Sequence, residues 1–207
     1  MSNPSQPFIG QSLPLLIVLS GPSGAGKDTV INRMKALAYP LQYVVTVTTR
    51  RKRAPEKDGV DYHFVSEARF WEMSQNGELL EWAQVYGNWY GIPREQVRQA
   101  LSQGQDVIIK TDVQGASTIK RLVPQAVFIF IAPPSLEELE ERLRQRNTED
   151  RFDLELRLRT ARAEMEQLPN FDYVVVNQHD ALEQVASCVI SIIAAEKCRI
   201  KQRRVEV

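Results

Sequence analysis

The stretch Leu15-Leu16-Ile17-Val18-Leu19-Ser20-Gly21-Pro22-Ser23-Gly24-Ala25-Gly26-Lys27-Asp28-Thr29 decides how the rest of the chain is read. Its apolar run is bounded by turn residues and suits a strand buried on both faces. Gly21 to Lys27 matches G-x-x-x-x-G-K, and a helical pattern over 29–37 follows, which is the strand, loop and helix context this motif requires. The glycines let backbone N–H groups converge on phosphate oxygens, and the helix N-terminus adds a favourable dipole. Lys27 can neutralise charge between a β- and a γ-phosphate. Gly21, Pro22, Ser23, Gly24, Ala25, Gly26, Lys27, Asp28 and Thr29 thus read as a nucleoside triphosphate site, of ATP type, without naming the reaction. The residue after the lysine is Asp28, where a Ser or Thr hydroxyl ordinarily ligates Mg²⁺. A carboxylate is itself a good hard ligand, so Asp28 is a candidate metal ligand that adds negative charge beside the triphosphate.

Working outward, apolar runs over 43–48, 106–111, 126–131 and 173–176 recur with helical patterns between them. Helices are expected near 136–146, 154–168 and 181–200. That alternation predicts an α/β fold, a parallel sheet of the P-loop type flanked by helices. Between the second and third strands the pattern breaks into a charged stretch over 50–61, a helix over 66–75, and strands over 79–85 and 89–92 around Gly87-Asn88. The two-residue connection is a hairpin signal. Residues 49–93 therefore read as a small antiparallel lobe inserted in a core of 14–48 and 94–200, with Pro93 opening the returning helix. Residues 1–13 and 201–207 read as tails.

At 207 residues the chain suits one sizeable core carrying a small insertion. Its formal net charge is zero, so its overall field offers no general attraction for nucleic acid or anionic membrane. Any anion site must be local. The longest apolar runs fall well short of the roughly 20 residues of a membrane span, and the first ten residues lack the pattern of a signal or transit peptide. Cys188 and Cys198 sit on one expected helix about 15 Å apart, too far to pair. With no disulfide framework, a reducing, cytoplasmic setting is the expectation, and Cys188 reads as core packing. His63 and His179 have no partner at metal-ligand spacing.

A family resemblance then becomes specific. Thr48-Thr49-Arg50-Arg51-Lys52-Arg53-Ala54-Pro55-Glu56-Lys57-Asp58-Gly59-Val60-Asp61-Tyr62 resembles the guanylate kinase signature T-T-R-x-x-R-x-x-E-x-x-G-x-D-Y. Gly77-Glu78-Leu79-Leu80-Glu81-Trp82-Ala83, Gly87-Asn88-Trp89-Tyr90-Gly91, Asp112-Val113-Gln114-Gly115-Ala116 and Pro133-Pro134-Ser135-Leu136 follow in that family's order. The resemblance implies transfer of the terminal phosphoryl group of ATP, with Mg²⁺, to GMP or dGMP, in purine nucleotide metabolism. It assigns Arg50, Arg53, Tyr62 and Tyr90 to the GMP phosphate, and Thr46, Glu81 and Asp112 to the guanine, with Glu56 and Ile92 beside them. It also implies a mobile helical lid over 147–153. Arg142 would then lie near the adenine, Arg146 and Arg157 would reach the phosphates during transfer, and Asn177 would lie on the adenine side. The chemistry is sensible in its own right, since guanidiniums and phenols suit a phosphate dianion. An ionised carboxylate accepts from both guanine N1–H and N2–H, a pair that adenine does not present. No general base is needed, because the acceptor is already an ionised phosphate.

Three positions depart from the family pattern. Asp28 replaces the hydroxyl residue, Lys110 stands where an Asp or Glu is common, and Ile92 where a Ser or Thr contacts guanine O6. Asp28 and Lys110 read as a coupled exchange that conserves local charge, which places Lys110 beside the phosphate loop. An aspartate after the loop lysine also resembles ribose 1,5-bisphosphate phosphokinases, although those lack the full arginine and guanine set. Guanylate kinase-like modules that bind proteins without catalysis are a further alternative, but their phosphate loops are typically degenerate.

Overall fold

The computed structural model describes residues 12–145 and 151–207. The chain runs β1 (Leu16–Ser20), α1 (Lys27–Ala36), β2 (Gln42–Tyr43), β3 (Val47–Thr48), β4 (His63–Phe64), α2 (Glu67–Gln75), β5 (Leu79–Val85), β6 (Asn88–Pro93), α3 (Arg94–Ser102), β7 (Val107–Lys110), α4 (Val113–Leu122), β8 (Val127–Ala132), α5 (Leu136–Gln145), α6 (Arg151–Met165), β9 (Tyr173–Val176) and α7 (Leu182–Lys197). Five parallel strands form the core sheet in the order β2-β7-β1-β8-β9. β1 lies at its centre, and its side chains alternate between two buried faces. Ile17 and Leu19 pack with Val30 and Met34 of α1 and with Val189 and Ile193 of α7. Leu16 and Val18 pack with Val97 and Ala100 of α3 and with Ala116 and Ile119 of α4. Helices on both faces explain why β1 and β8 are continuous apolar runs rather than alternating ones. No helix among the described residues is long and apolar enough to cross a membrane.

A second sheet, ordered β4-β3-β6-β5, forms the inserted lobe, and β6 pairs only within it. Three expectations are corrected here. The single strand expected over 43–48 is two: β2 pairs with β7, whereas β3 crosses to the lobe and pairs Val47 with Gly91 and Thr48 with Tyr90. An apolar run carries no mark of which sheet claims each part of it. The lobe sheet is also mixed rather than antiparallel, because β3 and β4 run parallel. The hairpin turn is Tyr86-Gly87 rather than Gly87-Asn88, with Val85 opposite Asn88. Tyr86 and Gly87 have φ of 47° and 76°, the left-handed pair that a tight hairpin turn requires.

The expected helices differ mainly at their ends, since α6 begins at Arg151 and a 3₁₀ turn, Leu168–Asn170, follows it. Cys188, read as core packing, is exposed, because α7 turns Val185, Ala186 and Val189 inward instead. Most of the tail 1–13, the residue Arg146 and most of the lid 147–153 lie outside the described residues.

The segment 201–207 is docked on the core. Glu196 is 2% exposed and accepts from Arg203 Nε at 2.8 Å and from the Tyr173 hydroxyl at 2.5 Å. Arg203 also donates to the Ala126 carbonyl at 3.0 Å, and Val205 and Val207 pack against the α3/α4 side of the core. Removing one partner of a buried ion pair strands the other charge. Arg203→Ala should destabilise the fold by about 2–3 kcal/mol, since Tyr173 and Arg199 still reach Glu196. Thermal unfolding should show a midpoint lower by roughly 5–10 °C, and an unchanged midpoint would mean that the clamp contributes nothing.

Candidate active site

The phosphate loop leaves the C-terminal end of β1, as parallel sheets place such loops. Gly26 is the N-cap of α1 with φ of 93°, and a Cβ there would meet Asn177 Nδ2 at 2.2 Å. Only glycine permits both the left-handed turn and that close approach. Asn177 holds the loop by donating Nδ2–H to the Ala25 carbonyl at 2.7 Å. Lys27 folds back so that its ammonium donates to the carbonyls of Gly21 and, at 3.0 Å, Pro22. Burial pulls the Lys27 ammonium below its ordinary range, opposed by the carboxylates of Glu164 and Asp28.

Across a cleft of about 990 Å³, the lobe supplies cations and phenols. Arg50, Arg53, Tyr62 and Tyr90 all line it. Arg50 donates to Glu56 Oε1 at 2.7 Å and lies 5.3 Å from the Tyr62 ring centre. Glu56 Oε2 accepts from the Arg53 backbone N–H at 2.8 Å, so Glu56 shapes the basic loop and orients Arg50. Tyr62 and Tyr90 meet edge to face, with ring centres 6.1 Å apart.

Glu81 is the unusual group. It lies on β5, is 4% exposed, and its Oε1 finds no hydrogen-bond partner among the described residues. The other oxygen accepts a long contact of 3.5 Å from the Thr111 hydroxyl. Burial, and then the nearby Asp112 carboxylate, push the Glu81 carboxyl up to about 8. An orphaned acceptor in a buried place is costly unless a ligand satisfies it. Asp112 caps α4 by accepting from the Gly115 N–H at 3.0 Å, and Thr46, 5% exposed, lines the same cleft. A Cβ on Gly115 would stand 2.2 Å from the Thr111 hydroxyl and 2.7 Å from Glu81 Oε1, so the glycine makes room for both side chains.

Lys110, at the end of β7, joins the two sides. Its ammonium is paired with the Asp28 carboxylate and donates to the Tyr62 hydroxyl at 2.9 Å. The pairing expected between Asp28 and Lys110 is therefore present, as a direct ion pair.

Comparison with known proteins adds independent weight. The guanylate kinase family model matches residues 14–196. The chain belongs to the guanylate kinase family. It is 45% identical over 193 residues to a guanylate kinase of Desulfitobacterium hafniense (strain Y51), spanning 93% of this chain and 96% of that protein. It is 43% identical over 204 residues to guanylate kinase 2, chloroplastic/mitochondrial, of Oryza sativa subsp. japonica, spanning 98% of this chain and 72% of that protein. The crystal structure of guanylate kinase from Anaplasma phagocytophilum superposes with a TM-score of 0.77 at 34% identity, covering 92% of this chain and 89% of that one.

Within this guanylate kinase fold the sequence-derived residues fall into distinct groups. Lys27, Asp28, Thr46, Arg50, Arg53, Glu56, Tyr62, Glu81, Tyr90, Asp112 and Arg157 line one cleft. Ile92 also borders it, but it is 1% exposed and packs with Leu80, Val97 and Leu16, so its side chain is floor packing rather than a polar contact. Arg142 and Asn177 sit behind the loop: the Arg142 guanidinium donates to the Asn177 carbonyl at 2.7 Å and pairs with Glu138. Arg157 lies 4.9 Å from the ring centre of Tyr86, which brings α6 to the tip of the lobe hairpin. Thr29 is exposed on α1.

Sequence reading missed Thr111, Gly115 and Glu164 as site residues. Glu164 lines the cleft with a buried Oε2 that has no hydrogen-bond partner among the described residues, and burial, opposed by the Lys27 ammonium, raises its carboxyl to about 7. Its spacing of seven residues from Arg157 puts both on one face of α6, the signal that could have found it.

Proposed function

We propose that this protein transfers the terminal phosphoryl group of ATP to GMP and dGMP, with Mg²⁺, as an enzyme of purine nucleotide metabolism in the cytoplasm. The observation that carries the reading is Glu81, a buried carboxylate that lines the cleft and has an oxygen with no hydrogen-bond partner among the described residues. Guanine offers N1–H and N2–H side by side, and one carboxylate accepts both. In the same cleft, Arg50, Arg53, Tyr62 and Tyr90 would hold the 5′-phosphate, since guanidiniums and phenols suit a phosphate dianion. That arrangement aims a phosphate oxygen at the donor, and transfer then rests on alignment and charge neutralisation by Lys27, Arg157 and, on the family pattern, Arg146.

The donor set fits Mg²⁺ in the manner usual for kinases. Among the described residues no cluster of three or more side chains could hold an ion alone, whereas Mg²⁺ commonly binds through one carboxylate together with substrate phosphates and water. Asp28, with its side chain 59% exposed beside the loop, is the residue that would hold it. When bound, the ion neutralises charge on the phosphates.

Two measurements examine the base site. Calorimetric titration should show GMP binding at least about tenfold tighter than IMP, which lacks the 2-amino group, and tighter again than AMP. Equal binding of the three would remove Glu81 from base recognition. Gly115→Ala should displace both the Thr111 hydroxyl and the Glu81 carboxylate and lower kcat/KM for GMP by about tenfold or more, with little change in the KM for ATP. A variant with unchanged GMP kinetics would show that Glu81 does not depend on that space.

A further inference from the structure

We propose that Lys110 is a further acceptor-site residue: its ammonium, shared between Asp28 and Tyr62, passes to the phosphate dianion of the bound nucleoside monophosphate. The inference rests on the reading of the acceptor as GMP, and adds to it a residue that the family pattern does not supply.

Three observations carry it. First, position: Lys110 ends β7, beside the start of α1, 82 residues from Asp28 in sequence, and it lines the same cleft as the acceptor residues. Second, geometry: its ammonium donates to the Tyr62 hydroxyl at 2.9 Å and stands 4.5 Å from the Tyr62 ring centre, while Arg50 lies 5.3 Å from that ring. A phosphate held by Arg50 and Tyr62 therefore comes within reach of a second cation. Third, charge: Lys110 is ion-paired with Asp28 and hydrogen-bonded to the Tyr62 hydroxyl, and a lysine ammonium so partnered carries its positive charge at neutral pH. Its side chain is only 16% exposed, so the ammonium must keep an anionic partner once it is placed there. A phosphate dianion is a better partner than a single carboxylate in charge and in number of acceptor oxygens. Asp28, with 59% of its side chain exposed, loses less by giving the ammonium up.

The exchange makes the two substrates help one another. Acceptor binding draws Lys110 off Asp28, and a carboxylate no longer paired with an ammonium is a better ligand for a cation arriving with the triphosphate. Donor binding that engages Asp28 in turn frees Lys110 for the acceptor, as linkage requires.

The test is calorimetric titration of the full chain with GMP and with guanosine, in the absence of ATP and Mg²⁺. Lys110→Gln should weaken GMP by about tenfold or more and change guanosine by less than about twofold, because guanosine has no phosphate. Lys110→Arg should recover most of the GMP affinity. Asp28→Asn should tighten GMP by several-fold, since Lys110 then has no carboxylate to leave. Lys110→Gln weakening both ligands alike, or leaving GMP unchanged, overturns the assignment, as does Asp28→Asn weakening GMP. Wild-type protein that binds neither ligand overturns the guanylate reading, and the assignment with it, a result distinct from failure of the Lys110 variants alone.

Discussion

Glu81→Gln raises the KM for GMP by roughly ten- to a hundred-fold, the loss expected when one charged pairing with a base edge is removed. The amide can still accept one hydrogen bond, but its NH₂ faces a second guanine donor. The same residue sets a pH dependence. In the free protein the Glu81 carboxyl titrates near 8, raised by burial and by Asp112. Bound guanine needs the ionised form, so GMP binding lowers that value and releases a proton. By linkage, GMP affinity rises as pH climbs toward 8, by at most about tenfold per unit, and levels off above it. Stability of the free protein runs the opposite way. A carboxyl raised above its unfolded value favours the fold at low pH, and that contribution is lost as pH rises toward 8. Titrations between pH 6 and 9 in buffers of different ionisation enthalpy would report both the slope and the proton. A flat profile in the wild type, or an unchanged slope in Glu81→Gln, would place the titrating group elsewhere.

Lys27→Met lowers kcat/KM by about a hundred- to a thousand-fold, the scale of losing one preorganised donor to developing charge. The Lys27 ammonium donates to the Gly21 and Pro22 carbonyls. It can therefore turn outward to phosphate oxygens with its N–H donors satisfied at either end of the movement. Methionine keeps the length and apolar stem of the side chain, so thermal unfolding should stay close to wild type while turnover collapses. A loss of less than about tenfold would assign the transition-state charge to other cations. Arg157 would be the first of these to vary, because it lines the same cleft from α6.

The core was legible in the sequence because its signals are local. A continuous apolar run, glycines at fixed offsets and a following helical pattern are all contained within 15–37. The split of 43–48 between two sheets was not legible, since Val44 bonds to Ile108 while Val47 pairs with Gly91, and nothing in the run marks the change. For the site, the cationic loop around Arg50 and Arg53 stood out by composition, but Glu81 did so only through resemblance. A carboxylate on a strand looks the same in sequence whether it faces water or a buried wall of a cleft. Its isolation is made by Gly115 and Thr111, 34 and 30 residues away, which no local pattern connects to it. The pairing of Asp28 with Lys110 was inferred from charge, and the structure supplies what charge alone did not: Tyr62 as the third member.

The central claim is phosphoryl transfer from ATP to a guanine nucleotide, and the most direct measurement is ADP release with a panel of acceptors. GMP, dGMP, AMP, UMP and ribose 1,5-bisphosphate should each be supplied with ATP and Mg²⁺ to the full chain. Turnover with GMP and dGMP, and kcat/KM for AMP and UMP lower by about two orders of magnitude or more, is the predicted result. Preference for ribose 1,5-bisphosphate, or no turnover with any acceptor by a folded protein, would contradict it.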